Sequence, residues 1–463
     1  MSMNTDEKER VQEELYDETL LDQYLENDDI DQFRDEFLAL HTYEQSEYFE
    51  DTTDENRQKI FQYLSPEEVA NFFDQLDIDD DEYELLFDKM NATYASHILE
   101  EMSYDNAVDI LNELTKPKVA SLLTLMNKDD ANEIKALLHY DEDTAGGIMT
   151  TEYLSLKAHT PVKEALLLVK AQAQAPDAET IYVIFVVDDD GKLVGVLSLR
   201  DLIVAENDAY IEDIMNERVI SVNVADDQED VAQVMRDYDF MAVPVIDYQE
   251  HLLGIITIDD ILDVMDEEAS EDYSRLAGVS DIDSTNDSII KTALKRLPWL
   301  IILTFLGMIT ATILGRFEKT LENVALLAAF IPIISGMSGN SGTQSLAVSV
   351  RNITTGEINE QSKFRIALRE AGSGVLSGVV CSTILFTIIV AIYHQPLLAL
   401  IVAGSLTCAM TVGTFVGSMI PLLMNKLNID PAVASGPFIT TINDIISMLI
   451  YFGLATSFMA YLI

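Results

Sequence analysis

The chain has 463 residues and a formal net charge of −52, from 80 Asp/Glu against 28 Lys/Arg. The imbalance is local: residues 1–290 hold 73 acidic and 18 basic side chains, while the remainder is apolar and slightly basic. Acid at that density excludes nucleic acid as a partner, because phosphates require Lys and Arg, and it attracts cations instead.

The opening MSMNTDEKER has no signal-peptide core, so the acidic half is expected to stay in the cytosol. Residues 1–55 read as an acidic, partly helical extension, and 56–140 as an all-α superhelical domain. Within it a twelve-residue unit repeats: MNATYASHIL, MSYDNAVDIL, LTKPKVASLL, MNKDDANEIK. Each unit places a cap residue (Asn91, Ser103, Thr115, Asn127) before apolar residues at helical spacing, which predicts short stacked helices. LSPEEVANFF is an earlier copy, with Ser65 as cap and Pro66 opening the helix.

Two α/β copies follow, 141–205 and 206–265. VVDDDGKLVGVLSLRDLI aligns with PVIDYQEHLLGIITIDDIL at an offset of 59, pairing Gly195 with Gly254 and Asp201 with Asp260. Each copy predicts a strand, an amphipathic helix, two apolar strands and a closing helix, with an Asp-Gly hairpin in the first. The pattern resembles a CBS-domain pair. That resemblance implies dimerisation and adenine-nucleotide binding, with Arg200 and Asp201 at the phosphate and ribose contacts. Asp201 and Asp260 equally suit helix caps.

The acidic connecting segment, 266–290, continues the last helix. Asp260, Asp263, Glu267 and Glu271 share one helical face, flanked by Glu268 and Asp272. Divalent cations would relieve the repulsion, so a helix that docks when cations arrive could serve as a gate.

Residues 291–463 predict an all-α membrane domain of five spans: Leu297–Leu314, Ala325–Val350, Ala371–Tyr393, Leu397–Met424 and Phe438–Ile463. Lys291, Lys295, Arg296, Arg351, Lys363, Arg365, Arg369 and Lys426 flank one side, against Arg316 and Lys319 on the other. The positive-inside rule therefore puts the acidic half in the cytosol of a multi-pass cell-membrane protein. A mere anchor needs one helix. Cys381 and Cys408 both lie in apolar segments and predict no disulfide.

Asp444 is the only formally charged side chain from Phe438 onward. Burying a carboxylate at the hydrocarbon centre costs roughly 2.5–3.5 kcal/mol even on mild scales, so such a group marks an ion path. Thr440, Asn443 and Ser447 stand one turn away, and IPIISGMSGNSGTQS in the second span adds Gly336, Gly339 and Asn340. Glycine and polar groups on two spans suit a water-lined passage. With oxygen ligands only, the path fits a divalent cation, Mg²⁺, Co²⁺, Mn²⁺ or Ca²⁺, and disfavours zinc or copper. An anion channel would need donors where Asp444 stands. An intramembrane aspartyl protease would need a second facing acid, and Glu370 reads as interfacial beside Arg369.

The order of helical domain, CBS pair, acidic connector and five spans resembles the MgtE family of magnesium channels. So do P-x-x-x-G-x-x-G-N-x-G-x-Q at 332–344, the INDI acid, DEDTAGGIMT, PDAETIY and YDFMAVPVID. The resemblance implies a non-enzymatic, Mg²⁺-selective uptake channel: a homodimer with Asp444 from each subunit at the selectivity site. It implies that cytosolic Mg²⁺ shuts the pore through Asp105, Asp109, Asp227, Glu229, Asp239, Asp260, Asp263, Glu268, Glu271 and Asp272, with Asp430 at the pore mouth. ATP would sit at the CBS pair near Arg200, Asp201 and Phe240.

Overall fold

The computed structural model describes residues 18–172, 180–279, 289–318, 325–355, 363–427 and 429–458, except 77 and 79. Parts of the extension, of PDAETIY, of the connector and of the fifth span (1–17, 173–179, 280–288, 459–463) lie outside the described residues. The chain divides into two compact units between Val264 and Met265.

Among the described residues the first unit has ten short helices before its sheets: α1 (Glu18–Glu26), α2 (Ile30–Phe37), α3 (Thr42–Asp51), α4 (Asp54–Tyr63), α5 (Pro66–Phe73), α6 (Asp80–Lys89), α7 (Ala92–Glu101), α8 (Tyr104–Asn112), α9 (Lys116–Leu125) and α10 (Lys128–Leu137). The repeat residues Ala95, Ile98, Ala107, Ile110, Leu122, Ala131 and Ile134 are all buried. Capping follows the pattern only in part. Asn91, Asn127 and Ser65 accept backbone N–H groups at their helix starts, whereas Thr115 directs its hydroxyl to Glu84, 3.1 Å away, and Ser103 makes no cap bond.

Residues 18–51 are no appendage. Phe33 and Phe37 of α2 stack at 5.2 Å, and Phe37 and Phe49 pack edge-on or tilted against Phe72 of α5. Arg34 fixes the same seam by ion-pairing with Glu68. Acidic composition set this stretch apart in sequence, but its aromatic residues are core.

The α/β part holds two matching sheets. β1 (Tyr153–Lys157), β2 (Thr180–Val187) and β3 (Leu193–Ser198) form one; β4 (Val222–Asn223), β5 (Ala242–Ile246) and β6 (Leu252–Thr257) form the other. In each, the first pair is parallel and the second antiparallel. Val186 pairs with Gly195 and Val245 with Gly254, and the register shifts after each pair. Helices α11 (Val162–Gln172), α12 (Leu199–Val204), α13 (Ile211–Ile214) and α14 (Gln228–Tyr238) complete the copies. The two interlock: a Cβ on Gly254 would lie 2.9 Å from the sulfur of Met149, and one on Gly195 would collide with Met215. α15 (Ile258–Ala277) leaves β6 and runs on into the second unit.

Among the described residues the second unit has five helices long and apolar enough to cross a membrane. They are α16 (Ile289–Arg316), α17 (Ile331–Thr354, preceded by a 3₁₀ turn at Ala325–Phe330), α18 (Lys363–Tyr393), α19 (Pro396–Lys426) and α20 (Gly436–Ser457). α19 is central, packing against α17, α18 and α20. Its crossing with α17 is glycine-permitted: a methyl on Gly417 would strike the Gly342 carbonyl, and one on Gly413 would sit 2.8 Å from the Ser338 carbonyl. Close backbones then bring polar groups into reach, as in many membrane helix pairs. Ser338 Oγ donates to the Ala409 carbonyl at 3.0 Å, and Ser349 to Ser418 Oγ at 2.9 Å.

Candidate ion path and its acidic mouth

Asp444 lies eight residues into α20, about 12 Å along its axis, and is half-buried. Its carboxylate accepts a hydrogen bond from the hydroxyl of Ser335 on α17. Sequence reading passed over Ser335, since serines are common in membrane helices and this one lies 109 residues away.

The polar stripe on α20 is really two. Thr440 and Asp444 are four residues apart, as are Asn443 and Ser447, but the pairs are rotated by about 100° from each other. Thr440 and Asp444 are half-buried, while Asn443 and Ser447 are fully enclosed. The amide of Asn443 donates to the carbonyls of Ser338 at 3.4 Å and Gly413 at 3.5 Å, tying α20 to α17 and α19. A Cβ on Gly339 would lie 3.2 Å from Thr440 Cγ2, so this glycine admits α20. Gly336 and Asn340 are exposed, as is Gln344, and they mark one open face of α17. Glu370 is held by Ser345 at 3.2 Å.

The end of α15 packs on the start of α20. Leu276 joins the cluster of Leu346, Val350, Ala432, Ala434 and Ile439. Gly278 turns the chain at φ +75°, where a Cβ would lie 3.3 Å from Pro437 Cγ. Asp430 caps the 3₁₀ turn before α20, accepting from Ala432 N at 2.7 Å. Arg275 reaches it: Nη1 donates to Asp430 Oδ2 and Nη2 to Glu271 Oε1. Asp272 is pushed up to about 6, chiefly by burial and then by Asp430 and Glu268. Glu268, Glu271, Asp272 and Asp430 thus form one acidic neighbourhood with Arg275 in it.

The other expected sensor residues lie in the first unit. Asp227 caps α14, accepting from Glu229 N at 3.0 Å, and Asp239 ends that helix in the left-handed region. Asp105 is buried in the first turn of α8, and Asp109 is exposed one turn on. Asp260 accepts from Thr257 Oγ1 at 2.5 Å, and burial raises its carboxyl, with Asp259 and Asp263 adding to the rise. Among the described residues no three His, Cys, Asp or Glu side chains are set to hold a metal ion.

Asp201 does cap its helix, in a reciprocal box with Ser198. Arg200 lines a groove of about 480 Å³ with Tyr182, Ser198, Leu199, Ile203 and Val204. Phe240 stands apart from that groove, stacked on Tyr238 at 5.4 Å.

These features define a multi-pass membrane protein whose glycine-rich helix pair carries an intramembrane carboxylate, joined to a half built of short helices and a tandem α/β pair. Residues 331–454 match the MgtE divalent cation transporter family, 40–143 its intracellular N domain, and 145–208 and 211–267 CBS domains. The magnesium transporter MgtE of Enterococcus faecalis is 47% identical over 444 residues, 96% of this chain and 97% of its own. The chain belongs to the MgtE family of divalent cation transporters, and is not an enzyme. Among solved structures, the soluble part of a magnesium transporter matches at TM-score 0.53 and 51% identity, covering 56% of this chain and 99% of that one. The cytosolic domain of the Mg²⁺ channel MgtE in complex with ATP matches at 0.51 and 36%, covering 53% and 99%.

Proposed function

We propose that two copies of this chain form a Mg²⁺-selective uptake channel in the cell membrane, closed when cytosolic Mg²⁺ binds its acidic domains. The observation that carries the reading is Asp444, a half-buried carboxylate on α20 held by Ser335 beside the open face of α17. Mg²⁺ sheds water reluctantly, so the carboxylate, Thr440 and Asn340 would hold it through its hydration shell. Asn443 supports the path as a packing group.

For closure, α15 bears on the residues that begin α20, so its seating is felt eight residues from Asp444. Arg351 follows Val350, and Lys426 stands two residues after Met424, both of which pack in the cluster at that mouth, in keeping with a cytosolic orientation. The donors at the mouth are all carboxylates, the chemistry Mg²⁺ prefers, and Asp272, raised chiefly by burial, also feels Asp430 and Glu268, whose repulsion a divalent cation would relieve. Asp105, Asp109, Asp227, Glu229, Asp239, Asp260 and Asp263 would serve the same sensing role in the first unit. A relative's cytosolic domain is titled as a complex with ATP. The groove at Arg200 is where this chain would take the nucleotide.

The test is ion replacement in proteoliposomes. Mg²⁺ flux that exceeds Co²⁺ and Mn²⁺ flux, without chloride flux, is expected. Chloride conduction, or Co²⁺ or Mn²⁺ carried in preference to Mg²⁺, would contradict it.

A further inference from the structure

α15 reads IDDILDVMDEEASEDYSRLA, and Arg275 is its only basic residue, in the last turn. Its two terminal guanidinium nitrogens are committed to different carboxylates, one on its own helix and one 155 residues away in the turn that starts α20. A planar fork that donates to two acids at once links them with fixed geometry, which a lysine cannot reproduce. Next to this link, Leu276 is packed in the cluster around Ile439, and Gly278 lies against Pro437. These described contacts of the end of α15 with the mouth all lie within a turn of Arg275.

We propose that Arg275 is a positioning residue that takes the place of a divalent cation at the mouth, joining Glu271 to Asp430 when metal is absent and so tethering the end of α15 without closing the pore. A cation arriving at these acids competes with the guanidinium for Glu271 and Asp430. The residue thus separates two forms of the contact, an open one tethered by arginine and a closed one clamped by metal, and sets how much metal the second requires. The inference rests on the gating reading above only for its effect on flux; the seating itself is measured without transport.

The experiment is amide hydrogen exchange over residues 265–279 of the full-length protein in lipid nanodiscs, in EDTA and in saturating Mg²⁺, for wild type, Arg275→Gln and Arg275→Lys. Losing a charge-assisted pair at each nitrogen should speed exchange in EDTA by about tenfold or more in Arg275→Gln. Arg275→Lys should fall between the two. Saturating Mg²⁺ should restore wild-type protection to Arg275→Gln, at a lower half-effective concentration than wild type shows for its own Mg²⁺ response. Unchanged exchange of Arg275→Gln in EDTA would overturn the proposal. So would protection lost in EDTA and not regained with Mg²⁺, which would make Arg275 a packing residue only. Should Asp430→Asn repeat the Arg275→Gln pattern in EDTA, the link is confirmed independently of the arginine variant; an unaffected Asp430→Asn would refute it. If exchange behaves as expected while flux ignores seating, the gating reading fails and the role of Arg275 stands.

Discussion

The hydroxyl of Ser335 donates to the carboxylate of Asp444 across two membrane helices. A hydrogen bond to a charged group contributes about 1.5–3 kcal/mol, more than an ordinary one, and here it ties the acid to α17. Ser335→Ala should raise the half-saturating Mg²⁺ concentration roughly tenfold or more while leaving assembly intact. Ser335→Thr, which keeps the hydroxyl, should recover most of it. Concentration-dependent flux in proteoliposomes checks both.

The α17–α19 crossing makes a sharper structural prediction. In Gly417→Ala the new methyl meets the backbone carbonyl of Gly342, which cannot rotate away. Overpacking of this kind costs about 1–3 kcal/mol or more. The variant should lose thermal stability in detergent, whereas Gly404→Ala on the same helix, where a Cβ meets nothing within 4 Å, should not.

The helices before residue 55 can be tested in the same way. Phe33 is fully buried between Phe37 and Tyr63. Phe33→Ala should destabilise the helical domain by about 3–5 kcal/mol. Calorimetry of the full chain should show one transition shifted down; an unchanged profile would mean the segment is an appendage after all.

Asp272 gives the mouth a pH dependence. Its carboxyl, near 3.8 when free, stands at about 6 when α15 is seated. The seated form binds this proton more tightly. The resulting stabilisation is complete below the free value and is lost as pH rises through about 6. In divalent-free buffer, intrinsic-rate-corrected amide exchange of residues 265–279 should therefore be slower at about pH 5 than at about pH 7.5. Asp272→Asn should flatten that difference.

Much of this architecture could be read from the sequence, because periodicity and charge are local properties. The five spans, the helices of the twelve-residue repeat and the offset of 59 between Val186–Gly195 and Val245–Gly254 all follow from spacing. Contacts between distant segments did not. Helical geometry put Asn443 within a turn of Asp444 but could not say that Ser338 and Gly413 would enclose it. Ser335 and Arg275 owe their roles to partners more than a hundred residues away. Acidic composition disguised α1–α3, whose few aromatic residues reach the core while their charges face water.

Asp444 remains the centre of the account, and its removal is the most direct test. Asp444→Ala should assemble normally yet carry no Mg²⁺ into proteoliposomes that the wild-type protein fills. Uptake at the wild-type rate by that variant would show that the ion does not depend on this carboxylate.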